Sequence, residues 1–521
     1  MILVWLLVIT FVSGLLAWIV SSWNRTTGRV VCFIGLALDA ILLLYVWMSR
    51  YSSLAAGTNE GWILEYKAIW IAPFGISFHL AMDGLSLLLA SLTVLLGVSS
   101  VACSWKEIDR QIGSFHFTLM AVLTGILGVF TSVDLFLFYF FWELMLIPMF
   151  FLILIWGHEN RTYAAVKFFI FTQAGGLFML LSIVALYWIG VNTAGLNTFD
   201  YTQLMGIAMA GHFLIIVGFF IAFAVKLPVV GVHMWLPDAY TKAPTAGSVI
   251  LAGLLSKTGA YGIIRFILPM SGNIPSLLTP LAMVLAVAGI FYGALTAFGQ
   301  SDVKRFVAYT SVSHLGFVLL GIFAGTQMAM QGAVVIMMAH GLTTGALFII
   351  TGALQERLAT RDMTKIGGLW SALPRMGSMA LLFALASLGL PGLANFIGEF
   401  LVLAGTFQTH PWFTAVAAFG FVVSVVYSVW IIYQVFYGPV DKAQRITDLR
   451  FGEMLNLSAL AVALIWIGIF PQTILNTAKT ALENIEIMQS TKISQSLQAR
   501  KNTDMKMFEK NKLNDSAEIV R

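Results

Sequence analysis

Four ionisable side chains stand where the surrounding sequence is otherwise apolar. Glu143 interrupts FYFFWELMLIPMFF (138–151), Lys226 lies in AFAVKLPVV, Lys257 in LLSKTGAYG and Glu399 in NFIGEF. Left unpaired at the middle of a bilayer, each would cost about 2.5–3.5 kcal/mol on an insertion scale. Two acids and two bases can cancel, and Glu143 with Lys226 is the natural pair. Burial disfavours the charged form of either group and an opposite charge favours it, so titrating Glu143 changes the proton affinity of Lys226. That makes the pair a proton-transfer element. The alternative is a static buried salt bridge that fixes helix register. It suits one pair in a soluble core better than four ionisable groups in a membrane. Two histidines, His314 in AYTSVSHLGFVLLG and His340 in VVIMMAHGLTTGALF, extend the row. Imidazole is the relay that titrates near neutral pH, and Ser311, Ser313, Thr343 and Thr344 beside them could order water; the blander reading is two hydrogen-bonded core histidines.

Other charged residues ask for less. His233, in the interrupted seventh segment, could gate access. Asp83 and Asp134 start helices and suit a capping role. Lys167 and Arg265 near helix ends can snorkel, Lys304 and Arg305 fit positive-inside anchoring, and Asp39 has no partner that the sequence suggests.

The elements that must position these groups follow from composition. Of 521 residues 59% are hydrophobic and only 10% charged, against about 25% charged in a soluble domain, and mean hydropathy is +0.89. Apolar runs of roughly 18 to 27 residues are long enough to cross about 30 Å of hydrocarbon as helices, and the two-residue alternation of an outer-membrane barrel is absent. About fourteen spans are expected, at roughly 2–20, 30–48, 84–103, 114–131, 134–156, 163–189, 212–230, 244–266, 279–299, 304–324, 328–352, 376–405, 411–437 and 453–476. Lys and Arg gather in the odd-numbered gaps (Arg25, Arg29, Lys106, Arg110, Arg161, Lys242, Lys304, Arg305, Arg357, Arg361), while the even gaps hold little beyond Arg50 and Lys67. The odd loops are then cytoplasmic and both termini outside. The first apolar run lacks a basic lead and a cleavage site, so it reads as an uncleaved span. The basic, polar tail after about 487 resists this topology and reads as disordered or surface-lying.

Two segments read as broken helices: 222–247, with Pro228, Pro237 and Pro244, and 384–405, with Pro391 in a Gly-Leu-Pro-Gly. They fall five spans apart and so run in opposite directions, the pattern of paired interrupted helices in inverted halves around a transport site. Ordinary proline kinks are the alternative. Cys32 and Cys103 are too few for an iron–sulfur cluster or a Cys-based zinc site. No dinucleotide, phosphate-loop, HExxH or CxxCH motif occurs, and the net charge of +5 suggests no nucleic-acid partner.

The stretches AMDGLSLLL, CSWKEI, FFWELMLIPMFFLILIWG, FAVKLPVVGVHMWLPDAYTKAPTAGSVILAGLLSKTGAYGIIRF, VKRFVAYTSVSHLGFVLLGIF and LPGLANFIGEF closely resemble the antiporter-like subunit M family of respiratory complex I, the NADH–quinone oxidoreductases. The resemblance runs from about residue 1 to 476 and leaves the tail uncovered. It implies that Glu143 and Lys226 are the coupling pair, that Lys257 is the central relay, and that Glu399 lies on the path toward the outer side; a glutamate there resembles subunit M, where the sibling subunits L and N carry lysine. It further implies an all-α polytopic membrane fold of about fourteen transmembrane helices with two inverted five-helix repeats. The corresponding domains are 1–113 (three helices and an outer loop), 114–266, 279–437, a last helix at 453–476 and a polar tail at 487–521. The implied function is proton translocation driven by electron transfer in neighbouring subunits, in a bacterial inner membrane with the N-terminus periplasmic. No cofactor is expected in this chain; NAD, FMN, iron–sulfur clusters and quinone would belong to partner subunits, with siblings L and N and the lipid bilayer as neighbours. A large subunit of an Mrp-type sodium/proton antiporter is the alternative.

Overall fold

Backbone groups in hydrocarbon must find their hydrogen bonds inside the segment, which leaves helices as the solution for long apolar runs. The computed structural model describes residues 1–56, 61–205, 213–270, 278–437 and 446–487; the polar tail lies outside these. Among the described residues, twelve helices are long and apolar enough to cross a membrane, and two shorter apolar helices, Phe213–Lys226 and Ala394–Phe407, accompany them. In chain order they are α1 Ile2–Val20, α2 Arg25–Ala56, α3 Gly84–Glu107, α4 Ile112–Thr131, α5 Leu135–Trp156 and α6 Arg161–Ala194. There follow α7 Phe213–Lys226, α8 Thr245–Met270, α9 Leu278–Phe298, α10 Val303–Phe323 and α11 Gln327–Leu358. The helices Pro374–Ser387 and Ala394–Phe407 are together α12, and α13 Pro411–Tyr437 and α14 Phe451–Ile469 complete the set.

Burial sorts these helices by role. The apolar windows of α8 and α10 are 100% buried and that of α11 94%, whereas α2 and α13 are 33% and α1 and α14 39% buried. The ionisable residues Lys257, His314 and His340 therefore ride on the three most enclosed helices, and the apolar faces of α1, α2, α13 and α14 are left to surrounding lipid or protein. Helix starts are capped as expected: the Asp83 carboxylate accepts the Ser86 N–H at 2.9 Å, and Asp134 accepts those of Phe136 and Leu137 at 2.9 and 3.2 Å.

Both expected breaks are present. After Lys226 the chain leaves helical geometry through Pro228 and Gly231 (φ 101) and re-enters a short helix at Leu236–Lys242. The Val225 carbonyl exposed by this break accepts the Trp235 indole N–H at 2.9 Å, the internal compensation that buried irregular backbone needs. In α12 the interruption spans Gly389 (φ 75), Pro391 and Gly392 (φ 95), left-handed positions that suit glycine. A third irregularity was not expected: α8 contains two π-helical stretches, Leu251–Leu255 and Ile263–Ile267.

The loop between α2 and α3 holds an antiparallel hairpin, β1 Leu64–Ile71 and β2 Ile76–Met82, turning at Gly75 (φ 66), in a stretch expected only as a long loop. It is pinned to the α6–α7 connection by Asp200, which accepts from Lys67 Nζ and His79 Nδ1 at 2.8 Å each, while His79 Nε2 meets Glu65 at 2.8 Å. Burial of Asp200 opposes its charge, but the hydrogen bonds from His79, Lys67 and Thr202 outweigh it and hold the carboxyl well below the usual carboxylate range. At the other end of the chain, α14 stops at Ile469, short of the expected 476, and after Pro471 a separate helix covers 472–487. It seats Thr477 against Gly84 at the head of α3, and its Glu483 accepts from Gln327 at 3.1 Å.

Several charges have tighter partners than their sequence positions implied. Asp39 on α2 is fully buried and accepts the Thr10 hydroxyl of α1 at 2.7 Å. Arg265 does not snorkel; it is buried in an ion pair with Asp83. Lys167 and Arg305 converge on Asp238 at 2.6 and 3.3 Å. Lys304 is no surface anchor, being wholly buried with its Nζ donating to the Ala243 carbonyl at 3.2 Å. In each case the partner comes from a segment distant in sequence, which a local reading of charge and position does not supply.

Candidate functional site

The row of ionisable residues is enclosed: Lys226 and Lys257 are 0% exposed, His340 and Glu399 1% and His314 3%, with Glu143 half-buried. Charges so placed persist only with compensating partners, and those partners define two connected segments and one open pair.

The open pair is Glu143 and Lys226. No ion pair joins them within 4.0 Å among the described residues, and Glu143 Oε1 and Lys226 Nζ both lack a hydrogen-bond partner. Lys226 Nζ instead lies 5.3 Å from the ring centre of Trp142 and 5.4 Å from that of Phe168, and ring quadrupoles attract a cation at that distance. Tyr139 and Gln173 flank the Glu143 carboxylate. A Cβ at Gly176 would stand 2.8 Å from Glu143 Oε1, so the glycine makes the room that the carboxylate occupies. The expected salt bridge is thus not closed.

The first connected segment is Lys257 with His340. Lys257 Nζ donates to the Ala252 carbonyl at 2.7 Å, approaches Ser256 Oγ at 3.3 Å and meets His340 Nδ1 at 2.6 Å. Ala252 lies within the first π stretch of α8, where the altered ladder turns a carbonyl toward the ammonium; such π bulges recur at functional sites. An ammonium only donates, so with a charged lysine His340 Nδ1 is the acceptor and the ring proton sits on Nε2, which has no partner among the described residues.

The second segment is His314 with Glu399. His314 Nδ1 lies 3.0 Å from Glu399 Oε1, and its Nε2 lies 3.0 Å from both Ser387 Oγ and Tyr427 OH. The two imidazole rings are 5.8 Å apart between centroids, so the segments approach each other at the histidines. Glu399 Oε2 is buried without a hydrogen-bond partner among the described residues, and a Cβ at Gly389 would stand 2.8 Å from it. The carboxylate therefore faces the interruption of α12. Thr343 donates to Asn395 Oδ1 at 3.2 Å just beyond. The hydroxyls of Ser311 and Ser313 donate to the carbonyls of Val307 and Ile290, and Ser313 also hydrogen-bonds the Tyr427 hydroxyl. His233 stays apart from the row: it accepts the Gly231 N–H at 3.3 Å and packs on Tyr292 at the break after α7.

Of the residues singled out in the sequence, the structure joins Lys257 to His340 and Glu399 to His314, brings the two histidine rings to 5.8 Å at a 59° tilt, and leaves Glu143 and Lys226 without a direct bond, the lysine lying against Trp142 and Phe168. Ser387 and Tyr427 had no sequence signal beyond a serine before Gly-Leu-Pro-Gly and a tyrosine in an apolar span. No cluster of three or more His, Cys, Asp or Glu suited to a metal ion occurs among the described residues.

The fold and this buried file of acids, amines and imidazoles define a class, the polytopic antiporter-like membrane proteins. The family model for NADH:quinone oxidoreductase/Mrp antiporter transmembrane proteins matches residues 132–426. Subunit M of the NADH-quinone oxidoreductase of Pseudomonas aeruginosa is 50% identical over 496 residues, covering 93% of this chain and 97% of that one. Subunit M of Escherichia coli K12 is 48% identical over 498 residues, covering 93% and 98%. Among solved structures, a chain of respiratory complex I from Thermus thermophilus with bound NADH superposes with a TM-score of 0.82 at 27% identity, covering 95% of this chain and 99% of that chain. A chain of the Mrp complex from Dietzia sp. DQ12-45-1b does so with a TM-score of 0.79 at 20% identity, covering 94% and 99%, a likeness of fold alone. This chain belongs to the NADH-quinone oxidoreductase subunit M family: it is a non-catalytic, antiporter-like membrane subunit of respiratory complex I that couples electron transfer to proton translocation and sits among membrane-embedded partner subunits.

Proposed function

We propose that protons cross this subunit along Glu143, Lys226, Lys257, His340, His314 and Glu399. The observation that carries this is the pair of buried hydrogen-bonded segments, Lys257–His340 and His314–Glu399, whose rings meet at 5.8 Å. Each segment holds a group that only donates, or mostly accepts, against an imidazole that does either, so a proton shifts along it without opening a new charge to hydrocarbon. Glu143 and Lys226 are the coupling element: they are close enough to feel one another's charge, with no bond that would lock them. The unpartnered Oε2 of Glu399, aimed at the break of α12, is the outlet.

Fourteen crossings accommodate this path, with 1–113 a three-helix lead, inverted repeats at 114–266 and 279–437, and 453–476 the last crossing region. The odd-numbered loops face the cytoplasm and the N-terminus the periplasm of a bacterial inner membrane. The pairing of breaks in α7 and α12 and the distribution of Lys and Arg support this arrangement. Siblings L and N are the neighbours in the membrane, and NADH, FMN, iron–sulfur clusters and quinone are held by other subunits.

The test is to replace His340 by Ala and Glu399 by Gln separately in the assembled complex. NADH-driven proton uptake is expected to fall at least about tenfold in each, since positioned proton-transfer groups contribute at least about a hundredfold. Uptake at the wild-type rate in both variants would remove the row from the path.

A further inference from the structure

His314 and His340 look alike in sequence but are held differently. His340 spends Nδ1 on Lys257 and leaves Nε2 without a partner among the described residues. His314 has both nitrogens engaged: Nδ1 faces Glu399 at 3.0 Å, and Nε2 faces the hydroxyls of Ser387 and Tyr427, each at 3.0 Å. Ser387 is 5% exposed and Tyr427 0%, and they arrive from different elements, the last turn before the break in α12 and the middle of α13. A tyrosine hydroxyl taken to zero exposure needs a partner, and this one is brought to a ring nitrogen of the row.

The chemistry of the two hydroxyls is the point. An ionised carboxylate only accepts, an ammonium only donates, and a hydroxyl does either by rotating its hydrogen. With a lone pair on Nε2, one hydroxyl donates to it; with a proton on Nε2, a hydroxyl oxygen accepts. Nε2 is therefore satisfied in both protonation states without any backbone or ring movement. We propose that Ser387 and Tyr427 are positioning residues that make His314 the protonatable joint of the row, and this rests on the proton-path reading given above. A proton added at Nε2 gives an imidazolium with Nδ1–H still donated to Glu399; transfer of that Nδ1 proton to Glu399 leaves a neutral ring carrying its hydrogen on Nε2. One proton enters and one leaves, the ring returns to zero charge, and the hydroxyls have reversed. His340 has no such cage, so it passes protons on while His314 holds one.

The titratable groups facing the His314 ring are Glu399 from α12, His340 from α11 and Tyr427 from α13; α9 packs on the adjacent turns at Gly293 and Gly316 and contributes the Ile290 carbonyl, which accepts from Ser313. The experiment uses the intact complex in inverted membrane vesicles, with NADH-driven proton uptake read between pH 6 and 8 and NADH–ferricyanide activity as the measure of assembly. Tyr427→Phe keeps the ring and removes the hydroxyl, and Ser387→Ala removes the other. Each is expected to slow uptake about tenfold at pH 8, the scale of one hydrogen bond to a charged group, with a smaller loss at pH 6, where proton concentration offsets the missing acceptor. Ser387→Thr, which restores a hydroxyl, is expected to recover at least half of what Ser387→Ala loses. A purely structural role predicts equal losses at both pH values and no recovery with threonine, and that pattern overturns the proposal. So does wild-type uptake in both Tyr427→Phe and Ser387→Ala. Lys257→Ala, run alongside, separates the two levels: if it too pumps normally, the whole row fails, and if it alone is inactive, only the His314 cage does.

Discussion

Replacing Lys257 by methionine separates transport from stability, because the structure lets the two effects be weighed in advance. The ammonium contacts the Ala252 carbonyl at 2.7 Å and His340 Nδ1 at 2.6 Å. Methionine is of similar length and has no donor, so His340 Nδ1 is left buried and unpaired at roughly 1–3 kcal/mol, while the Ala252 carbonyl keeps the Ser256 hydroxyl at 3.1 Å. Against that loss stands the removal of a fully buried ammonium, whose desolvation costs several kcal/mol. The loss does not exceed the gain, so the assembled complex is expected to persist in near wild-type amounts. Proton transfer has no such compensation, because methionine carries no titratable group. NADH-driven proton uptake is expected to fall by a factor of about a hundred or more, while NADH–ferricyanide activity stays within about twofold. A methionine variant that assembles and pumps at more than half the wild-type rate would refute the assignment of Lys257 to the path. Lys257→Arg keeps the charge but presents a planar fork to a site shaped for a point donor, and is expected to fall between the two.

Gly176→Ala tests the space around Glu143 without touching a charge. The added Cβ would lie 2.8 Å from Oε1, so the carboxylate must retreat by about 0.6 Å to reach ordinary contact; misplacements of about 1 Å cost up to a hundredfold in positioned chemistry, and a roughly tenfold drop in coupled NADH–quinone turnover is expected. Unchanged turnover would show that the carboxylate position is not critical. Asp200→Asn is expected to loosen the β-hairpin, read as faster amide hydrogen exchange across 64–82. In the wild type the depressed pKa of Asp200 means its contribution is fully present above the unfolded value of about 3.9 and is lost only as pH falls further, through the folded value; so wild-type protection is expected to be flat in this respect from pH 7 to about 4, and a loss of protection near pH 5 traced to Asp200 would contradict the pairing. Thr10→Val removes the donor to Asp39 and is expected to destabilise the α1–α2 pair by about 0.6–1.7 kcal/mol, seen as a lower midpoint in detergent unfolding, with proton uptake unaffected; a loss of uptake would place Asp39 in the path.

What the sequence displayed depends on how far each partner lay along the chain. The membrane class was plain from long apolar runs, and Glu143, Lys226, Lys257 and Glu399 stood out because a charge in such a run is costly wherever it ends up. The breaks at Pro228 and at Gly389–Gly392 were also visible, since proline and glycine act locally. The partners were not. Tyr427 reaches His314 across 113 residues, Ser387 across 73, and Arg265 reaches Asp83 across 182. Nothing in LEYKAIWI distinguished a hairpin strand from a loop, because its burial alternates only in part and its pinning residue is Asp200. Lys304 looked like an anchor because basic residues at a helix start usually are; only the packed structure shows it buried. The π stretch beneath Lys257 has no sequence signature, yet it supplies one of the lysine's contacts.

The central claim is that the buried charges move protons in step with electron transfer. The most direct measurement is NADH-driven proton uptake by inverted vesicles carrying Glu143→Gln, a change that keeps the shape of the side chain and removes its charge, with NADH–ferricyanide activity confirming assembly. The account predicts that uptake is lost while ferricyanide activity remains. Uptake at the wild-type rate would contradict it, returning Glu143 to a structural role beside Trp142 and Gly176.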